Sequence, residues 1–236
     1  MMIEGLKRPG GEMATRPLHF IWLVDCSGSM MGEKIQSLNY AIKQAVPDMQ
    51  AAADENPNAQ LYVRAITFSE GANWHIASPT PVQDFEWLDV EAGGLTDLGK
   101  ALELVATQLE MPPMPERALP PVLVLLSDGQ PTDMYEKALN QLLSLPWGKK
   151  AVKLAIAIGS DADKEVLARF IDHPEIPVLE ANNPAALVKY IKWASTVTKQ
   201  VSMPHSQVTK EEGIGSAPID LGTLPVIQAD TELDVW

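Results

Sequence analysis

The 236-residue chain is long enough for one large domain and a tail, and its 46% apolar content supplies a core and excludes global disorder. A formal charge of −13 argues against phosphate-rich partners, so neither nucleic acid nor an anionic membrane surface is expected to bind. A single cysteine, Cys26, rules out an internal disulfide and points to a reducing compartment.

Residues 1–15 are expected to be a disordered N-terminal extension, and nothing in them has the apolar core of a signal peptide. No later apolar run approaches the roughly 20 residues of a membrane span, so the chain reads as soluble and cytoplasmic. The first strand is predicted over residues 18–24. Its run of Phe20, Ile21, Trp22, Leu23 and Val24 suits a central strand covered on both faces. It leads into Asp25, Ser27, Gly28 and Ser29, which place one carboxylate and two hydroxyls at the carboxyl end of a strand. Open α/β sheets bind ligands there, and oxygen-only donors suit a hard divalent cation better than zinc or copper.

A helix over residues 33–53 follows from the spacing of Ile35, Leu38, Ile42, Ala45 and Met49, with Pro47 expected to kink it or end a first segment. Residues 61–68 form a second strand, and residues 74–78 a short antiparallel edge strand ended by Pro79 and Pro81. After a connection carrying Phe85, Trp87 and Leu88 comes Gly93-Gly94-Leu95-Thr96-Asp97. Thr96 or Asp97 is expected to cap a helix reaching Glu110. A proline-rich connection leads to the apolar strand 122–126, ending at Ser127-Asp128-Gly129. Thr132 or Asp133 is expected to cap a helix over 134–145. A strand over 152–158, a helix opening at Gly159-Ser160-Asp161, a short strand at 178–180 and a helix from Pro184 to about Thr198 complete the pattern. Residues 201–236 read as an acidic extended tail. From Ser202 on, one Lys stands against six Asp and Glu, and apolar spots such as Leu233, Val235 and Trp236 punctuate the acidic stretch.

Alternating strands and helices predict an α/β fold, a mostly parallel central sheet with helices on both faces. Asp25, Ser27 and Ser29, followed in order by Thr96 and Asp128, resemble the metal-ion-dependent adhesion site (MIDAS) of von Willebrand factor A domains. The resemblance covers residues 16–200 and implies a Rossmann-like three-layer sandwich. It also implies that Asp25, Ser27, Ser29, Thr96 and Asp128 hold Mg²⁺, with Mn²⁺ or Ca²⁺ as alternatives, and that a partner protein presents Asp or Glu to the metal. Among subgroups the chain is similar to the tellurium-resistance-type, TerY-like intracellular bacterial proteins. That likeness implies a stress-response or phosphorylation module with a kinase and a PP2C-type phosphatase.

Each piece alone has a plainer reading. Ser27 and Ser29 could cap a helix, Thr96 and Asp97 another, and Asp128-Gly129 could be a turn. Cys26 lies between ligand positions and is expected to be a buried, inert thiol. No G-x-S-x-G, Walker or dinucleotide fingerprint appears, and a haloacid-dehalogenase-type site would need an acid where Ser27 stands, so no catalytic residue is assigned. The expectation is a non-enzymatic adaptor. The alternatives are a divalent-cation-dependent phosphoesterase and an accessory subunit of an AAA+ chelatase or MoxR-type ATPase complex. A tail carboxylate, Asp230, Glu232 or Asp234, reaching back to the metal is a further expectation.

Overall fold

The computed structural model describes residues 15–56 and 58–202; the expectations for residues 1–14 and 203–236 lie outside them. Strand β1 (Arg16–Asp25) leads through a 3-10 turn to helix α1 (Glu33–Asp54). Strands β2 (Ala59–Ser69) and β3 (Gly71–Pro81) follow, then α2 (Leu98–Leu109), β4 (Val122–Ser127), α3 (Tyr135–Ser144) and α4 (Pro146–Lys150). The chain continues through β5 (Val152–Ile158), α5 (Lys164–Ile171), β6 (Leu179–Ala181) and α6 (Pro184–Ser202). The six strands form one sheet in the order β3-β2-β1-β4-β5-β6. Every pairing is parallel except β2 with β3.

Alternation along β1 divides the core in two. Phe20, Trp22 and Val24 face one layer with α1 and α6, whereas Ile21 and Leu23 face the other with α2, α3, α4 and α5. Parallel strands buried on both faces are the reason β1, β4 and β5 read as continuous apolar runs. Cys26 joins the α1 layer, where burial pushes its thiol up to about 12, as expected of an inert cysteine. No helix among the described residues is long and apolar enough to cross a membrane.

Several local expectations are corrected. Helix α1 runs unbroken through Pro47, which lies on its exposed side where water can replace the missing bond. Strand β3 is longer than expected and carries Pro79 within it, as only an edge strand can. Helix α5 starts at Lys164, because Asp163 accepts from the backbone N–H groups of Glu165 and Val166. Neither Thr96 nor Asp97 caps α2 through its side chain, and neither Thr132 nor Asp133 caps α3. Instead Asp133 reaches across to cap α2, accepting from Gly99 N at 3.0 Å and Lys100 N at 3.1 Å.

The irregular connection after β3 is fixed by one buried side chain. Asn39 of α1 donates to Val90 O (2.9 Å) and accepts from Val90 N and Trp87 Nε1 (both 3.0 Å). Losing it strands three buried polar groups. Asn39→Leu is expected to cost about 2–4 kcal/mol in denaturant unfolding; a loss under about 1 kcal/mol would show that the connection is held by packing alone.

Candidate metal centre

Three loops meet at the carboxyl edge of the sheet, and each holds part of the polar set. In the first, Asp25 ends β1 and accepts from Ser27 N at 2.8 Å, closing a turn around its own carboxylate. Ser27 is buried and Ser29 exposed, and their hydroxyl oxygens lie 3.0 Å apart. In the second, Gly94 takes φ +82°, a conformation open to glycine. The loop is sewn to the first by Gly93 N to Cys26 O (2.8 Å) and Gly28 N to Gly94 O (3.0 Å). A side chain at Gly28 would crowd Gly94 O. Thr96 follows, buried, with its N–H donating to Thr132 Oγ1 at 3.0 Å and its carbonyl accepting from Thr132 N at 2.9 Å. In the third, Asp128 O accepts from Asp163 N at 2.7 Å, which ties this loop to α5.

All five expected residues therefore lie on loops stitched to one another by backbone hydrogen bonds. Two supporting residues escape sequence reasoning. Ser127 donates to Asp25 Oδ2 at 2.5 Å and accepts from Gly129 N at 2.8 Å, linking the two strand ends. The usable signal was its position: Val24 pairs with Leu126, which brings Ser127 level with Asp25. Thr132 is the other, and Asp97 supports this corner by accepting from Gly71 N at 2.8 Å.

The two carboxylates differ. Asp25 is fully buried yet has donors on both oxygens. Burial raises its pKa to about 6; the Ser127 and Ser27 bonds oppose the rise, and the charge of Asp128 adds to it. Asp128 is also fully buried, and neither of its oxygens has a hydrogen-bond partner. A buried carboxylate without donors is costly unless a cation faces it. A hard cation fits this donor set. Adjacent oxygens of an octahedron with 2.0–2.1 Å metal bonds stand roughly 2.8–3.0 Å apart, and the hydrogen-bonded Ser27 and Ser29 hydroxyls, 3.0 Å apart, already have a compatible spacing. No group of three or more His, Cys, Asp and Glu suited to a metal occurs among the described residues, so hydroxyls would have to complete the set.

The raised pKa of Asp25 has a stability consequence. With its folded value near 6 and its ordinary value at 3.8, the folded state binds the extra proton between them. The associated stability is present at low pH and is lost as pH rises through about 6. Without divalent cations, the stability of Asp25→Asn relative to the wild type should rise by roughly 2–3 kcal/mol between pH 4 and pH 7.5, on top of a pH-independent loss, because Asn can accept only one of the two bonds that Asp25 accepts. Thermal melts in EDTA at both pH values test this; a difference between variant and wild type that does not change with pH contradicts the raised pKa.

The model of the von Willebrand factor type A domain matches residues 20–192. Comparison with curated proteins gives no match. Among solved structures, the chain is similar to a von Willebrand factor type A protein from Catenulispora acidiphila, at 17% identity over 79% of this chain and 43% of that one, with TM-score 0.60. It is similar to the pilus adhesin SpaC from Lactobacillus rhamnosus GG, at 14% identity over 80% and 30%, with TM-score 0.63. It is also similar to proximal thread matrix protein 1 from the mussel byssus, at 18% identity over 78% and 46%, with TM-score 0.58; that structure is described with a zinc-occupied MIDAS motif. The chain spans less than half the length of each of these proteins, and at such identities the likeness shows the fold alone. With the family model matched across most of its length and the fold the same, the chain belongs to the von Willebrand factor type A domain family.

Proposed function

We propose that this chain is a non-enzymatic intracellular adaptor that binds a partner protein through a divalent cation at the carboxyl edge of the sheet. Asp25, Ser27, Ser29, Thr96 and Asp128 would hold the ion, and an Asp or Glu of the partner would complete its coordination. The observation that carries this reading is Asp128, whose buried carboxylate has no donor on either oxygen. Oxygen donors favour Mg²⁺, with Mn²⁺ or Ca²⁺ as substitutes. When bound, the ion supplies positive charge and a Lewis-acidic position for a carboxylate. Neutral hydroxyls cancel little of that charge, and Ser127 and Thr132 keep Asp25 and Thr96 in place.

A binding role is favoured over turnover. Asp25 is engaged on both oxygens, which leaves it poorly placed as a general base. The buried lysine at this edge, Lys34, is paired with Asp161 at 3.2 Å, not aimed at a phosphate. The buried, solitary Cys26 accords with a reducing cytoplasm. The TerY-like resemblance supports a stress-response or phosphorylation module, with a kinase and a PP2C-type phosphatase as partners; an AAA+ ATPase is the other candidate.

Calorimetry should show Mg²⁺ binding that Asp128→Asn abolishes and Ser127→Ala weakens about 10–100-fold. In extract, wild type with Mg²⁺ should retain a partner that EDTA or Asp25→Ala releases, and an aryl phosphate should not turn over. A partner held equally by wild type and Asp25→Ala, with Mg²⁺ or with EDTA, would move recognition to another surface.

A further inference from the structure

The face around Asp25 and Asp128 has an apolar rim. Of six strongly exposed large hydrophobics among the described residues, three stand on the site loops: Met31 (63% exposed), Leu95 (53%) and Met134 (83%). The bonds from Gly28 N to Gly94 O and from Thr132 N to Thr96 O hold those loops together, so the three side chains share one edge of the molecule. Two are methionines, which adapt to varied apolar shapes. The occupant that suits such a face offers a carboxylate with apolar neighbours.

The chain itself contains such a segment. Residues 230–236, Asp230-Thr231-Glu232-Leu233-Asp234-Val235-Trp236, set three carboxylates among Leu, Val and Trp. We propose that this segment docks on the chain's own metal face, presenting Asp234 to the cation and its apolar residues to Met31, Leu95 and Met134, and so competes with partners. The proposal rests on the cation reading above.

Reach and charge both support docking within one molecule. Helix α1 starts beside the first site loop and ends at Asp54, and Lys199 of α6 pairs with Glu55 at 2.7 Å. Helix α6 therefore ends at the edge opposite the site. Its 19 residues measure roughly 28 Å at 1.5 Å each. The 31 residues between Ser202 and Asp234, at up to about 3.3 Å each, are more than long enough to cover that distance. Asp220, between Ile219 and Leu221, is another tail carboxylate with apolar neighbours, but it lacks the further carboxylates and the tryptophan that stand beside Asp234. The face also carries acidic groups besides Asp25 and Asp128, since the Glu70 side chain lies against Gly94. An acidic segment is repelled there until a cation reverses the local charge.

Hydrogen-exchange mass spectrometry on the full chain, paired with Mg²⁺ calorimetry, tests the proposal. Mg²⁺ should slow amide exchange across residues 230–236 about tenfold, as expected for a segment of about 0.1 mM affinity at millimolar effective concentration. The slowing should not depend on protein concentration. Asp234→Asn and Trp236→Ser should restore the rate seen in EDTA while Mg²⁺ still binds. Calorimetric binding of Mg²⁺ with no change in exchange at 230–236 would overturn the docking and leave the cation reading standing. Slowing that grows with protein concentration would overturn it in favour of a second copy. Absence of Mg²⁺ binding would remove the cation reading and the docking with it.

Discussion

Asp25 and Asp128 are both withdrawn from water at one edge of the sheet, and the charge of Asp128 adds to the cost of ionising Asp25. An ionised carboxylate in such a place costs several kcal/mol unless it is compensated. For Asp25 the compensation is local: Ser27 N and Ser127 Oγ each donate to one oxygen. For Asp128 none is found within the described chain. Lys34, the buried cation at this edge, is committed to Asp161. The site is thus held at an energetic disadvantage that a hard cation would relieve, and the surrounding structure has to be rigid enough to keep it there.

That rigidity comes from the sheet. Strands β1 and β4 are central neighbours in parallel register, so their carboxyl ends fall level and place Asp25 beside Ser127. The two apolar layers lock both strands from either side. The loops inherit this order through backbone bonds. Gly93 and Gly94 pair with the first loop, Thr96 pairs with Thr132, and Asp128 pairs with Asp163. Asp133 couples the third loop to the start of α2. A shift in any one loop must break bonds in another, which is the condition for a preorganised ligand set.

The fold and the polar set were legible because both depend on local pattern. Short apolar runs such as 122–126, bounded by proline and Ser-Asp-Gly, suit strands buried on two faces, and Asp25, Ser27 and Ser29 lie within one turn. What stayed hidden depends on residues far apart in sequence. Ser127 is 102 positions from the carboxylate it serves. The Asp133 cap acts on a helix 34 residues earlier. Asn39 looks like an ordinary polar position on α1, yet it holds a connection more than fifty residues away. Asp163 caps its own helix, but Asp97 and Asp133 are spent on neighbouring elements, on Gly71 N of β3 and on the start of α2, because three loop ends crowd one edge.

On the proposed reading, the acidic character of the chain would give the candidate site its selectivity. At physiological ionic strength charges are screened beyond about 8 Å, so the overall −13 charge acts mainly on what comes near. An acidic ligand approaching the bare edge meets Asp25, Asp128 and the nearby Glu70 and is turned away. With a divalent ion in place, the same approach would end in coordination, and the apolar rim of Met31, Leu95 and Met134 would add area that a free carboxylate or phosphate cannot use. Discrimination then arises from two requirements met together, a carboxylate for the ion and hydrophobic flanks for the rim. A small anion satisfies only the first, and a hydrophobic peptide only the second. On the proposed reading the same pair of requirements would account for the exposed apolar rim: without a cation the acidic surroundings disfavour acidic segments, and with one the rim would be covered by the segment that binds.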